Sequence, residues 1–491
     1  MERYKKANEG IHASETLKRQ TVQSGAPVRS KGTYALFRSY RFPRKAWFGA
    51  VAAVLVVAVL AGIIFWPGGG PLSQATYASA IALPEYPDMP KRPTGSNISS
   101  IAADKWRLAI QSQKAPLEKV TSKKQLSHFN TVTMQQFLGS SNGQNPVYSP
   151  LSLYLALAMT TELTDGNSRQ QILDFLGVTN MEHLRKLASA LWNANYRDDG
   201  TVTSRLASSI WLNEDVEFIQ QTMDTLADTY YTSSFQGRMG SAALNSDLQR
   251  WINDQTGGLL ADFSSNLELD PNTVLALVTT LYFSAKWDRL FTEENNTVET
   301  FHGAAADVET EFMNRKIEGS YYWGDCFSAV VNPFEAGGSM WLILPDEGVS
   351  MDELLADSQF SDFLAQGTLW ENRTAMKVNL SLPKFDISSQ LDLIDGLKSL
   401  GVTDVFDYQI SDFSPTMQNA DELFLDKVLQ TGRVIVDEKG VEASSYTIVN
   451  VAPGAAPPPT EEIDFVLDRP FLFIIKSETG QFLFTGVVNQ L

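Results

Sequence analysis

The alternation of apolar and polar positions predicts several helices in the first half of the chain. The segment YSPLSLYLALAMTTEL predicts a buried helix, because Ser149 is a favourable N-cap, Pro150 suits the first helical position and the rest is mostly apolar. The segment NSRQQILDFLG predicts a second helix, capped by Asn167 or Ser168 and ended by Gly177.

Strand patterns dominate the second half. LASSIWLN and TVLALVTTLYFSAKW are rich in β-branched and aromatic residues, and the second is almost continuously apolar, which predicts a strand buried on both faces. Val378, Leu380 and Leu382 alternate with polar residues, as in a half-buried strand. RPFLFIIKSETGQFLFTGVV predicts a hairpin that turns at SETG. Helices followed by strands predict an α+β fold with mainly antiparallel sheets.

A long apolar segment near the N-terminus predicts a membrane anchor. Ala46 to Trp66 is free of charged residues, and as a helix it would span about 32 Å, roughly the thickness of a bilayer core. Tryptophans stand near both ends, and the basic segment RFPRK directly precedes it, which predicts a cytoplasmic N-terminus. A buried core helix or a cleaved signal peptide fits less well, because the segment is long, lacks a polar face and follows a long basic tail.

Charge and composition divide the chain around this segment. Residues 1–45 carry 11 basic and 3 acidic side chains, a net charge of +8, whereas the remaining 28 basic and 54 acidic side chains give −26. Such acidity argues against nucleic-acid binding, which needs a basic surface. The predicted parts are a basic cytoplasmic tail (1–45), a transmembrane anchor (46–66), an extracytoplasmic stalk containing Pro and Gly (67–103) and a globular domain (104–491).

The residues that usually hold metals and cofactors are sparse and scattered. The four histidines, His12, His128, His183 and His302, show no ligand spacing, so no metal site or cofactor is predicted. The single cysteine, Cys326, excludes an intrachain disulfide and suits a bacterial surface protein better than a vertebrate secreted one.

One catalytic pattern, G-x-S-x-G, occurs at Gly139–Gly143 with Ser141 in its centre. A nucleophile elbow requires a strand before this motif and a helix directly after it. Here the preceding FNTVTMQQFL is helix-like and a short strand, in QNPVYSP, follows. A polar loop is therefore the better interpretation of the motif, and an acyl-transfer enzyme is poorly supported.

The segment VIVDEKGVEASSYTIVNVAPGAAPPPTEE combines a strand pattern with a proline-rich loop. Two strand-like runs are separated by DEKG, and no obvious partner follows the second run. The alternation places small or β-branched uncharged residues on one face and a glutamate and a tyrosine on the other. The first face comprises Val441, Ala443, Ser445 and Thr447. On pattern alone an ordinary edge strand remains the alternative, but long irregular loops are usually functional.

From about residue 120 to 491 the chain resembles the serpins, segment by segment and in order. NPVYSPLSLYLALAM, INDQTGGLLADF, LVTTLYFSAKWDRLF, VIVDEKGVEASS and DRPFLFIIKSETGQFLFTGVVN all resemble serpin motifs. The resemblance implies a helical N-terminal half, three mainly antiparallel sheets and an exposed reactive-centre loop at about 438–462.

The resemblance also implies functional residues. The implied reactive bond is Gly454–Ala455, to within two residues. The implied hinge consists of Glu438, Gly440, Val441, Ala443, Ser444 and Ser445, followed by Tyr446, which is bulkier than the family pattern. The resemblance further implies the residues of the breach and the shutter, the places where the central sheet opens. They are Trp287, Ser149, Thr279 and Gln430. Thr279 stands where the family usually has an asparagine, and Gln430 where it usually has a histidine.

The function implied is inhibition of extracellular serine proteases by covalent trapping. A protease cuts the loop, and the cut loop inserts into the central sheet before the protease is released. Small residues near Gly454, and no basic residue from 441 to 459, favour elastase-like or subtilisin-like targets. We expect a monomer anchored in the cell membrane with the domain outside. The alternative is a non-inhibitory serpin that serves as a surface binding module, although such proteins usually carry charged or bulky inward hinge residues.

Overall fold

The computed structural model describes most of the globular domain and parts of the N-terminal region. The described residues are 51–62, 77, 79–87, 89–93, 99–120, 123–139, 141–418, 423–440 and 461–491. Among these residues, no helix is both long enough and apolar enough to cross a membrane.

Helices form most of the first half of the described domain and recur as short segments later. The buried α3 begins where its sequence predicts, because Ser149 accepts a hydrogen bond from the Ser152 backbone N–H and Pro150 is the first helical residue. The helices are α1 (Ser100–Val120), α2 (Lys123–Leu138), α3 (Pro150–Leu163), α4 (Gly166–Phe175), α5 (Met181–Asn195), α6 (Gln220–Tyr230), α7 (Ala242–Thr256), α8 (Ala261–Ser264), α9 (Met351–Ala356), α10 (Ser358–Gln366) and α11 (Ile394–Ser399).

The central sheet is mixed rather than mainly antiparallel. Its strand order is β13-β14-β1-β7-β5-β6-β2, with β4 paired to β5. The all-buried β7 confirms the prediction of a strand with both faces covered. The strands of this sheet are β1 (Val51–Gly62), β2 (Ala80–Ala82), β4 (Arg197–Asp198), β5 (Val202–Asn213), β6 (Thr232–Gly237), β7 (Thr273–Ala285), β13 (Phe385–Asp392) and β14 (Leu423–Val436).

The remaining described strands form one further hydrogen-bonded sheet, where the resemblance implied two. The long β9 pairs with β12 along most of its length and with β10 at its end, which joins the two halves. Strands β16 and β17 form the hairpin predicted at SETG. The strands are β3 (Val147–Tyr148), β8 (Thr297–His302), β9 (Asp307–Trp323), β10 (Phe327–Pro333), β11 (Ser339–Pro345), β12 (Arg373–Pro383), β15 (Glu462–Val466), β16 (Phe471–Lys476) and β17 (Phe482–Val488).

Strand β1 lies within the segment for which the sequence predicts a transmembrane helix. Its backbone pairs in parallel with β14 on one side and with β7 on the other. We call the position between β7 and β14 the slot. The structure thus places residues 51–62 in the slot, and residues 46–50 and 63–66 lie outside the described residues. The transmembrane anchor is not confirmed and stays a prediction.

The predicted stalk does not stand apart from the domain where the structure describes it. Strand β2 extends the central sheet by pairing with β6, and the ring of Tyr86 stacks on Trp192 with centroids 5.7 Å apart. Helix α1 begins at Ser100, inside the predicted stalk, and packs against α5. Prolines favour the extended backbone here, as predicted, but aromatic and hydrogen-bonding side chains hold it on the domain surface.

Two elements differ from their prediction, one in where it begins and one in how far it is buried. Helix α4 begins after Asp165 rather than at Asn167 or Ser168, and Gly166 adopts a φ of +55° at this start. The pattern at Val378, Leu380 and Leu382 predicted a half-buried strand, but both faces of β12 are buried toward its C-terminal end. There the strand is covered by tertiary packing that sequence alternation cannot reveal.

Candidate functional site

The candidate site lies where β14 ends beside the slot. After Val436 the chain turns through residues 437–440, and Gly440 has a φ of +61°, a left-handed conformation that favours glycine. A Cβ on Gly440 would lie 2.3 Å from the Trp287 backbone nitrogen, so no other residue fits without movement. This turn therefore lies at the end of the slot, just beyond the last pair of β1 with β14.

Trp287 forms the floor of this turn. Its ring is buried and stacks on Phe334, with centroids 5.1 Å apart, and meets the edge of Phe291. Its indole Nε1–H donates to the Asp437 backbone carbonyl at 2.9 Å, and the Phe291 backbone N–H donates to the Glu438 carbonyl at 3.1 Å. The turn after β14 is thus attached to the segment that follows β7.

The carboxylate of Glu438 is the centre of a charged network. One of its oxygens accepts a hydrogen bond from the Asn296 amide at 2.5 Å and lies 2.5 Å from the Lys384 ammonium. Lys384 also contacts the Glu311 carboxylate at 2.7 Å, and Asn296 donates to the same carboxylate at 2.8 Å. Glu438 is 6% exposed, so most of its stabilisation comes from these partners rather than from water.

The environment moves the pKa values of neighbouring hinge carboxyls in opposite directions. Burial by itself raises the pKa of Glu438, but the hydrogen bonds from Lys384 and Asn296 outweigh it, and the pKa lies below its ordinary value. Burial raises the pKa of Asp437, which has no cationic side chain bonded to it in the described structure. The pKa of Lys384 is raised, because its two carboxylate partners outweigh the effect of burial.

The three predicted shutter residues lie at one level near the middle of the central sheet, with Thr279 on β7 and Gln430 on β14. Gln430 donates its side-chain amide to the Ser149 backbone carbonyl at 3.1 Å, which ties β14 to the start of α3. The Thr279 hydroxyl and the Gln430 carbonyl oxygen are buried and have no hydrogen-bond partner among the described residues. They are two of fifteen buried side-chain polar atoms without a hydrogen-bond partner among the described residues, and these two belong to residues that pair with the same residue of β1 from opposite sides.

The register of β1 explains why these two atoms are unpaired. Val57 of β1 is the backbone partner of Thr279 on one side and of Gln430 on the other. One whole strand therefore separates two side chains whose strands would be neighbours if the slot were empty. Adjacent strands lie about 4.8 Å apart, so the filled slot places β7 and β14 about twice that distance from each other.

Several residues predicted from the sequence lie outside the described residues: Val441, Ala443, Ser444, Ser445, Gly454 and Ala455. Ser141 is described, and it lies in the turn between α2 and β3, where its hydroxyl accepts from the Asn489 amide at 2.9 Å. A helix precedes it and a strand follows, which supports the polar-loop interpretation. In the described part of the chain no cluster of His, Cys, Asp and Glu is suited to a metal ion.

The sequence analysis missed the partners that hold the hinge. Lys384, Asn296 and Glu311 come from separate segments, and nothing in their local sequence indicates that they meet Glu438. Arg315 was also missed. It lies over the ring of Phe291 and donates to Asn332, and burial lowers its pKa to about 10. The available signal was a charged residue, Lys384, between two strand patterns, but a single sequence does not show its partner.

The geometry combines a hinge with a slot that takes a strand. The hinge turn is fixed by Trp287 and Glu438 at one end of the slot, and the backbone groups of β7 and β14 on either side can both pair with an intervening strand. A chain that continued from the turn into the slot would run antiparallel to β14. The geometry is compatible with entry of a strand between β7 and β14, and residues 437–440, the described part of the hinge, contain no nucleophile–base pair.

Comparison with known proteins agrees with this geometry. The family model "Serpin (serine protease inhibitor)" matches residues 124–491. Rat alpha-1-antiproteinase is 28% identical over 392 residues, covering 77% of this chain and 90% of that protein. The native-state crystal structure of tengpin, a thermophilic serpin, matches with a TM-score of 0.63 at 24% identity, covering 82% of this chain and 98% of tengpin. Human thyroxine-binding globulin matches with a TM-score of 0.64 at 20% identity, covering 76% of this chain and 99% of the globulin.

The two structural matches show the fold alone, and one of them is a binding globulin. The sequence relatives support protease inhibition as the general activity, which is not that of a catalytic enzyme. The family model spans most of the chain and includes the hinge and shutter residues described above. The chain belongs to the serpin family.

Proposed function

We propose that this serpin is a membrane-anchored inhibitor that traps extracellular serine proteases covalently. The protease serine attacks the carbonyl carbon of Gly454, the bond to Ala455 breaks, and the Ala455 amine leaves with a proton. The remaining acyl-enzyme ester is normally hydrolysed by water. Insertion of residues 441–454 into the slot would carry the attached protease on the order of 45 Å, at about 3.3 Å per residue, before that hydrolysis is complete.

The observation that carries this proposal is the slot itself. Strands β7 and β14 accept a third strand between them along almost their whole length, and the hinge turn at residues 437–440 stands at its end. The inward hinge residues expected from the sequence, such as Val441 and Ala443, are uncharged and small enough to enter a packed sheet. Small residues around Gly454 favour elastase-like or subtilisin-like targets, whose pockets would accept them.

The presence of β1 in the slot favours a second candidate function. If residues 51–62 stay between β7 and β14, the cut loop has nowhere to insert, and a protease would cleave the chain and depart. The protein would then be a non-inhibitory serpin that acts as a binding module, without the anchor that places it at the membrane surface. In the anchored inhibitor the same residues lie in the bilayer, and the slot is available to the loop. The two placements exclude each other, so the two functions can be separated by experiment.

The test uses the full chain in lipid nanodiscs, incubated with an elastase-like and a subtilisin-like protease and with trypsin. The expected result is a complex with one of the first two that survives SDS and heating, with little complex for trypsin. Cleavage near residue 454 without a complex would support the binding module instead. Val441→Arg should be cleaved without forming a complex, because insertion would bury an unpaired charge. Glu442→Arg, on the outward face, is the matched control and should still trap.

The membrane placement has its own test. With residues 46–66 in the bilayer and the domain attached from Tyr77 onward, residues 67–76 form the tether, which reaches at most about 36 Å. Protease added outside intact cells should digest the domain and spare an epitope tag placed before Met1. Loss of that tag, with the cells still intact, would show that the N-terminus is not cytoplasmic and would reject the anchor.

A further inference from the structure

A groove with an apolar floor and an acidic rim lies at the end of the central sheet opposite the hinge. It has a volume of about 430 Å³, and one wall is Ile81 of β2, a large apolar side chain that is 50% exposed. The other apolar residues that line it are Leu212, Val216, Phe218 and Met223. Large apolar side chains around an exposed concavity mark a binding surface, and no described part of the chain fills this one.

The rim of the groove carries three carboxylates, on Glu214, Asp215 and Glu217. All three side chains are exposed, and none of them forms an ion pair within the described part of the chain. Three like charges so close together repel one another, and a cationic partner would relieve that repulsion. An occupant that suits the groove therefore combines basic side chains for the rim with aromatic or aliphatic side chains for the floor.

The start of β1 lies close to this groove. Leu212, in the lining, is the backbone partner of Leu275 in β7, and Leu275 is in turn the partner of Ala53 in β1. Two strand spacings, about 10 Å, therefore separate β1 from the groove at this level. Because β1 runs from this end of the sheet toward the hinge, the chain that precedes Val51 enters the slot at the groove end.

The residues that precede β1, RFPRKAWFGA at 41–50, have the chemistry that the groove requires. They include three basic side chains and three aromatic ones and no acidic residue: Arg41, Arg44, Lys45, Phe42, Trp47 and Phe48. From Val51 back to Lys45 the chain can span about 20 Å, which exceeds the distance to the groove. Residues 1–45 carry a net charge of +8 and the rest of the chain −26, so the long-range attraction also favours this contact.

We infer that residues 41–50 bind in this groove when β1 lies in the slot, with their aromatic side chains on its floor and their basic side chains at its rim. In the anchored form the same basic residues would meet phospholipid headgroups instead, so docking and anchoring exclude each other. The inference concerns the chain with β1 in the slot, as the structure describes it. It does not require that a protease be trapped.

Disulfide formation tests the docking in the full chain without lipid, with the native cysteine replaced by Cys326→Ser. Ala46→Cys is combined either with Val216→Cys, in the groove, or with Ile410→Cys, an exposed position outside it. The rate of disulfide formation in glutathione buffer reports how often the two thiols meet.

The position at 410 is a demanding control, because it lies nearer to the start of β1 than the groove does. The next residue, Ser411, donates its hydroxyl to the Leu423 carbonyl, and Leu423 is the backbone partner of Val51. A segment that is merely tethered should therefore reach residue 410 at least as fast as residue 216. Docking should instead make the 46–216 disulfide form about tenfold faster than the 46–410 disulfide.

Charge reversal separates docking from proximity. Glu214→Lys/Glu217→Lys should slow the 46–216 disulfide to the rate of the 46–410 disulfide. The new lysines by themselves would favour the thiolate at 216 and accelerate the reaction, so a slower rate reports lost docking. Glu293→Lys/Glu294→Lys makes the same change of charge on the exposed segment that precedes β8 and should leave both rates unchanged.

Three outcomes would overturn the docking. Equal rates to 216 and 410 would do so, and so would a rim reversal that changes neither rate. Fast hydrogen exchange of the β1 amides in the same sample would also overturn it, because the segment would then not leave the slot beside the groove. If the disulfides form as expected and no protease is trapped in nanodiscs, the docking stands and only the inhibitory function fails.

Discussion

The breach and the shutter, the two places where the central sheet would open, are built differently. At the breach, the Trp287 indole N–H bonds the Asp437 carbonyl, and the Glu438 carboxylate meets both Asn296 and Lys384. At the shutter, Thr279 and Gln430 each leave a buried oxygen without a partner in the described structure. The contrast teaches that the hinge is made for one fixed geometry, whereas the middle of the slot must serve both a filled and an empty state.

A sheet that opens cannot satisfy both states with the same side chains. When a strand fills the slot, its backbone pairs with β7 and β14, and the side chains that would meet across the closed slot lose each other. The hinge does not face this conflict, because its contacts lie beyond the last residue pairs of β1, between Trp287 after β7 and residues 437–440 after β14, and they persist while the slot is filled. The four predictions below test this contrast, beginning with the largest effect.

The largest effect is expected for Trp287→Ala at the breach. The variant removes a fully buried ring from between Phe334 and Phe291 and leaves the Asp437 carbonyl unbonded. Large aromatic truncations in packed cores cost about 3–5 kcal/mol in free energy of unfolding. Urea unfolding of the full chain measures this loss of unfolding free energy. Trp323→Ala, at a partly exposed tryptophan stacked on Tyr321, is the matched control and should cost much less. Equal losses would show that the breach is not a special centre of stability.

The next largest effect is expected for Glu438→Gln. The variant keeps the shape of the side chain but removes the charge that pairs with Lys384, and it should cost about 1–3 kcal/mol, the usual range for hydrogen bonds to charged groups. Glu311→Gln changes the same chemistry against the same two partners at an exposed position, so its cost should be smaller. If Glu311→Gln lost more unfolding free energy than Glu438→Gln, the centre of the charged network would lie at Glu311 rather than at the hinge.

The difference between wild type and Glu438→Gln should depend on pH. Because the pKa of Glu438 is lowered in the folded state, its contribution is complete above the ordinary value of 4.5 and is lost as the pH falls through the lower, folded value. The difference in unfolding free energy between the two proteins should therefore be full at pH 7 and should shrink as the pH falls below 4.5. A difference that stays constant as the pH falls until the protein unfolds would show that the carboxylate charge does not carry the contribution.

The smallest effect, and the one with opposite sign, is expected at the shutter. Thr279→Val removes a buried hydroxyl that has no partner in the described structure, so it should leave stability unchanged or raise it by up to about 1 kcal/mol. Thr280→Val, one residue along β7, removes a hydroxyl that donates to the Ala207 carbonyl and should lower stability. If Thr279→Val is instead the more damaging change, its hydroxyl is bonded in solution, and the slot is closed there.

The local sequence pattern predicted correctly the elements whose ends and burial depend on residues close together along the chain. The N-cap at Ser149, the fully buried β7 and the β16–β17 hairpin all follow from spacing, turn residues and continuous apolar character. The resemblance to serpins implied Trp287 as a breach residue, and in the structure its indole N–H donates to the Asp437 carbonyl. For the N-terminal 77–93, in contrast, composition predicted only extended backbone, because the partners of Tyr77 and Tyr86 lie far away along the chain.

The sequence by itself therefore determined the fold class, the membership of a family and the order of the elements, because these depend on periodicity and on motifs read along the chain. Only the tertiary structure decided which charges meet at Glu438, that the described residues between 77 and 93 contact the domain, and that Val57 separates Thr279 from Gln430. The physical reason is that each of these features joins residues that are far apart in sequence. Apolar residues 51–62 suit a bilayer or a buried strand equally well, and periodicity alone does not distinguish the two environments.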